Sequence, residues 1–141
     1  MKKLILLVIL FSTGVVGAQN IVGLWKTIDD ETNKPKSIVE IYERNGKVYG
    51  KIIRLFRGPQ EDQDPICDEC DEEDPRYNKK IIGMEILNNM IKDDEEYSGG
   101  EILDPNNGRV YRCKIWLEGN DLKLRGYLGP FFRTQTWLKA D

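Results

Sequence analysis

"SIVEIYERNGKVYGKIIRLF", residues 37–56, decides the fold. Two β-rich runs flank Asn45-Gly46, the dipeptide best suited to a type I′ hairpin turn, because both turn positions need positive φ. In the first run Val39 and Ile41 share one face, while Ile38, Glu40 and Tyr42 share the other. In the second, Tyr49, Lys51 and Ile53 alternate with Val48, Gly50 and Ile52. Side chains of a strand point to alternate faces, so this is the pattern of a half-buried hairpin.

The same pattern continues towards the C-terminus. Residues 99–140 contain four strand-like runs, separated by turn chemistry at Asp104–Gly108 and Gly119–Asp121. In "RVYRCKIWL", residues 109–117, Tyr111, Cys113, Ile115 and Leu117 share one face. Leu122, Leu124 and Leu128 oppose Lys123, Arg125 and Tyr127, and Phe131, Arg133, Gln135 and Trp137 oppose Phe132, Thr134, Thr136 and Leu138. Between the two regions, Ile81, Ile82, Met84, Ile86 and Leu87 fit a further strand, with a short helical turn expected near Leu87 to Lys92. Seven or eight short strands joined mostly by hairpin-length linkers predict an all-β fold, a single antiparallel up-and-down barrel.

The N-terminus reads differently. "MKKLILLVILFSTGVVGAQN", residues 1–20, has Lys2 and Lys3, an apolar run from Leu4 to Phe11, and Val16 and Ala18 before a plausible cut. This is the pattern of a secretory signal peptide, residues 1–18, and it predicts export to the periplasm or the exterior. The apolar run is short for a bilayer span, and nothing later resembles a transmembrane segment. No Cys follows it that could carry a lipid. Taking 18 residues from 141 leaves 123 in 19–141, which suits one domain with its own core. Removing two lysines takes the net charge from −3 to −5. That balance argues against nucleic acid or an anionic membrane as the main partner, since both need a basic footprint.

Between Arg57 and Asn78 lies a long loop with three prolines; from Glu61 to Asp74 it holds nine acidic residues and no basic one. Loops of that length in compact domains are functional, disordered or tied down. "CDEC", residues 67–70, sits inside it, and Cys113 is the third cysteine. A structural zinc site wants four Cys or His ligands, and the chain has no histidine. A thioredoxin-type thiol needs a lowered pKa, whereas Asp68, Glu69, Asp71, Glu72, Glu73 and Asp74 disfavour the thiolate. In an oxidising compartment a local Cys67–Cys70 disulfide is favoured, with Cys113 a small buried hydrophobe. The acidic run has the ligand type for Ca²⁺ but not the EF-hand spacing, so a solvated acidic loop is the commoner explanation. No metal or other cofactor is expected.

Catalytic patterns are absent. Without histidine neither Ser-His-Asp nor Cys-His can be built, and no phosphate loop or dinucleotide fingerprint occurs. The residues therefore point away from an enzyme.

"GLWKT" opens the region after the leader, and Gly23-x-Trp25 resembles the first-strand signature of lipocalins and their calycin relatives. The resemblance implies that Trp25 plugs the closed end of a barrel, with Arg133 of "FFRTQTW" packed over it by cation–π contact. "GLWKT", "NGKVYGKI", "CDEC", "KKIIGMEIL", "GGEILDPNNGRVY" and "LRGYLGPFFRTQTW", in this order over residues 21–138, resemble a family of exported bacterial proteins, domain of unknown function family 2147. The resemblance implies export and a calycin-like β-barrel and carries no assigned activity. This chain departs from it at Tyr97-Ser98, where members often show Trp before the Gly-Gly pair.

Small barrels either fill their interiors or keep a cavity for one ligand. The leading expectation is a non-catalytic protein holding a small apolar or amphipathic ligand, with Tyr49, Tyr111, Trp116 and Tyr127 as candidates for the cavity mouth. The alternatives are a filled barrel serving as a structural or protein-interaction module and, behind it, an envelope enzyme.

Overall fold

The computed structural model describes residue 9 and residues 20–140. The expected leader and its cut after Ala18 lie outside the described residues, residue 9 apart. Eight strands follow one another: β1 (Gly23–Ile28), β2 (Pro35–Arg44), β3 (Lys47–Leu55), β4 (Glu85–Asp93), β5 (Glu96–Asp104), β6 (Arg109–Glu118), β7 (Asp121–Leu128) and β8 (Phe131–Lys139). Each pairs antiparallel with the next, and β8 returns to β1, so the sheet closes into an up-and-down barrel. Asn45 and Gly46 take the positive φ values, 53° and 76°, that the hairpin turn requires. No helix among the described residues is long and apolar enough to cross a membrane.

The alternation read from the sequence decides which faces turn inward. Val39 and Ile41 are fully buried, as are Ile115 and Leu122. Their out-of-phase neighbours Glu40, Tyr42, Lys114 and Lys123 stay at least partly exposed. The fourth strand departs from expectation. It begins at Glu85, and Ile81 to Met84 form a turn with Gly83 at φ 90°. No helical turn follows Leu87. Instead Asn89 adopts φ 54° and the pairing with β3 shifts register, so Ile86 and Leu87 are buried as neighbours. A bulge of this kind breaks the period of two and accounts for the imperfect alternation.

The two ends of the barrel differ. Chain entry, chain exit and the tight turns 45–46, 94–95 and 119–120 share one end. Trp25 fills that end at 3% exposure, donating its indole N–H to the carbonyl of Ile21 at 2.7 Å. Gly23 makes this possible: its φ of 141° lets the residues before β1 fold back so that Ile21 reaches the indole. Arg133 does not cover Trp25. Trp25 pairs with Lys139, so Arg133, six residues earlier on β8, stands roughly 20 Å up the strand, at the opposite end.

The long loop, residues 56–84, belongs to that opposite end and is held at several points. Cys67 and Cys70 form a disulfide, and both are buried. The backbone of Cys67 exchanges hydrogen bonds with Lys79 and Asn78. Arg76 binds Asp74 at 2.8 Å and donates to the carbonyl of Glu85 at the start of β4. The disulfide segment also docks on the β5–β6 turn. Gly108, at φ 72°, lies so close that a Cβ there would run into the backbone of Glu69 and Cys70. Two independent constraints, conformation and space, therefore require glycine at 108.

Gly108→Ala is expected to lower stability by about 1–3 kcal/mol in urea unfolding, through strain and overpacking. Gly126→Ala is the control: φ is ordinary and the added Cβ makes only normal contact with Tyr111, 3.6 Å away. It should change stability by less than about 0.5 kcal/mol. Equal effects of the two would refute the docking role of Gly108.

Candidate functional site

The end opposite Trp25 is not filled. A cavity of about 1350 Å³ opens there, bounded by the β1–β2 loop, the start of the long loop and the β5–β6 and β7–β8 turns. Its size follows from the inward residues of the strands. Gly126 contributes no side chain, and Thr27 and Ser37 contribute small ones. Towards the closed end, Trp25, Met90, Ile115 and Leu122 occupy the same interior.

The cavity is layered. Its floor is apolar, made by Ile52, Ile86, Leu103, Leu124 and Trp137, all nearly inaccessible. At mid-height the hydroxyls of Thr27 and Ser37 meet at 2.6 Å, so two buried polar groups satisfy each other. Tyr111 lines the wall, and its hydroxyl accepts from Asn107 at 3.1 Å. The rim is charged. Asp30 from the β1–β2 loop binds Arg133 at 2.9 Å and Gln135 at 3.2 Å, and Gln135 accepts the indole N–H of Trp137 at 3.3 Å. Asp29 turns away to its own loop, accepting from the amides of Glu31 and Thr32, and these bonds hold its pKa below the usual carboxylate value.

Of the four aromatic residues expected at the mouth, Tyr111 lines the cavity and the other three face outward. Tyr49 lies opposite Tyr42 on the outer surface, stacked at 5.9 Å, with the Arg44 guanidinium 4.0 Å from its ring. The inner face there belongs to Val39 and Ile41, and Tyr49 is out of phase with them. Trp116 pairs with Lys123 and has Arg125 over its ring at 5.3 Å. Tyr127 packs beside Phe132. Both alternate with inward residues, Ile115 and Gly126 respectively. Gly23 and Trp25 sit at the closed end, and Arg133 is a rim residue. The expectation omitted Asp30, Ser37, Gln135 and Trp137. Gln135 and Trp137 were on one face with Arg133 in the alternation, but the sign of that face is set by closure. Asp30 carries no signal, being one acidic residue in a loop.

Cys113 packs against Met90, Sγ to Sδ 3.6 Å, away from the cavity. Burial pushes its thiol up to about 12. Among the described residues no group of three or more Cys, Asp or Glu side chains is placed to hold a metal ion.

Residues 23–139 match the family described as "Uncharacterized protein conserved in bacteria (DUF2147)". Among solved structures, protein HP1028 from the human pathogen Helicobacter pylori, described as belonging to the lipocalin family, is similar in fold. Its TM-score is 0.71 at 23% identity, over 86% of this chain and 84% of that one. No curated protein matches the chain.

Thiol titration of the native protein at pH 8 should find no reactive group, because Cys113 is buried and protonated and the other two are joined. Denaturation without reductant should expose one; three would refute the disulfide. The shifted thiol also has a pH signature. With its folded pKa raised from 9.0 to about 12, Cys113 contributes stability fully present below pH 9 and lost as pH rises towards 12. Cys113→Ala should flatten the alkaline fall in stability over that window.

Proposed function

We propose that this chain, which belongs to the DUF2147 family, is a non-catalytic binding protein for one small amphipathic molecule. The observation that carries the reading is the layered cavity at the open end. An apolar floor takes a hydrocarbon or ring portion, and the polar rim takes a head group that stays near water. Eight-stranded barrels are wide enough for one such ligand. A filled barrel acting only as a scaffold accords less well with an open interior of this volume.

We place the protein outside the cytoplasm. The reading is supported by the signal-peptide pattern of residues 1–18 and by a disulfide, a bond that persists in oxidising compartments. The mass of protein recovered from the cell envelope should begin at Gln19; retention of residues 1–18 on a cytoplasmic product would overturn this placement.

Binding is tested with Nile red, a neutral apolar dye. The purified chain should bind one dye molecule with a blue-shifted emission. Gly126→Phe, which puts a ring into the cavity opposite Arg133, should weaken binding at least about ten-fold, or ~1.4 kcal/mol. Trp116→Ala on the outer face should leave it unchanged. Equal binding by the Gly126→Phe variant and the unaltered protein would refute the cavity as the site.

A further inference from the structure

We propose that Arg133 and Gln135 form a carboxylate cradle at the barrel mouth, which Asp30 occupies as an internal stand-in and which the carboxylate of a fatty-acid-like ligand takes over. The inference rests on the binding reading above and names the ligand's head group.

Three features carry it. First, one oxygen of Asp30, Oδ2, accepts both donors, Arg133 Nη2 at 2.9 Å and Gln135 Nε2 at 3.2 Å. This is a two-point anion site built on one strand and already filled by a carboxylate from another element. Second, the amide of Gln135 is oriented from below. The indole N–H of Trp137 donates to its carbonyl oxygen at 3.3 Å, which leaves the amide N–H₂ directed at the anion. Since Trp137 is also part of the apolar floor, head-group cradle and tail site follow one another along β8.

Third, Asp30 sits where the barrel wall is weakest. β1 and β8 pair only through Trp25–Lys139 and Lys26–Leu138, near the closed end. Above these pairs the two strands have no ladder partners in each other, and the contacts of Asp30 span the gap. Its side chain is one-third exposed and reaches Arg133 from a loop, so it can be displaced without unfolding a strand. The other carboxylates of the mouth are committed locally: Asp29 to Glu31 and Thr32, Glu61 to Gly58, and Asp104 to Asn106. Lys34 and Lys36, also at the mouth, enter no ion pair among the described residues and favour a second negative charge there. A ligand carboxylate on Arg133 and Gln135 replaces Asp30 while its chain runs down towards Trp137.

The test is displacement of Nile red from the full chain by decanoate and by decanol, which share a chain and differ in the head. Asp30→Ala empties the cradle and should tighten decanoate by about ten-fold while leaving decanol unchanged. Arg133→Gln should weaken decanoate by a similar factor, again sparing decanol, which serves as the control for an intact cavity. Arg133→Lys should restore part of the decanoate affinity. If Asp30→Ala leaves decanoate unchanged, or Arg133→Gln moves both amphiphiles together, the cradle is refuted while the cavity stands. If neither amphiphile displaces the dye, the cavity reading fails and the cradle with it.

Discussion

Trp25, lodged where β1 meets β2 and β8, makes one end of the barrel solid. A closed sheet of eight strands encloses a fixed interior, and side chains must either fill it or leave it open. Trp25 and the inward Met90, Ile115 and Leu122 fill the half beside the tight turns. Their packing gives the sheet a floor to close around, so the other half can hold small residues and space without collapse. The Ile21 carbonyl that takes the indole N–H, and the glycine that brings it there, belong to the same arrangement.

The division shows in what the open half does with polar groups. Inside it, hydroxyls pair with each other, an indole binds an amide, and that amide binds a carboxylate. Among the described residues no buried side-chain nitrogen or oxygen lacks a partner. A ligand therefore meets an apolar floor, inner polar groups that already have partners, and charges gathered at the rim, where water screens them. The Cys67–Cys70 segment supports this from outside. It presses on the β5–β6 turn through Gly108, and so fixes one wall of the mouth.

The hairpin at Asn45-Gly46, the barrel class and the alternation of β6, β7 and β8 were legible because each rests on a local rule of turn chemistry or a period of two. The disulfide was legible because charge and the absence of histidine removed its competitors. Three of the four mouth aromatics were misplaced for a different reason. Alternation tells which residues share a face but not which face is inside, and Tyr49, Trp116 and Tyr127 are out of phase with the buried aliphatics. Trp116 and Tyr49 are stacked under arginines instead, a normal fate for outward aromatics. Arg133 was misread because its link to Trp25 came from a resemblance, whereas its height on β8 depends on register with β1. Asp30 was invisible, since its partners lie more than a hundred positions away in sequence.

The short seam between β1 and β8 also orders events in time. Every other pairing joins neighbours in the chain, across short connections except for the long loop between β3 and β4, but this one joins the first strand to the last. Contacts so distant in sequence carry the largest entropic cost of closure and form slowly. The meander can zip up from its hairpins while β1 keeps an unpaired edge until β8 reaches it. Until then that edge is a template for any other free strand, including one from a second copy. The seam thus carries the largest closure cost of the eight pairings, and the barrel has no free edges only once it has formed.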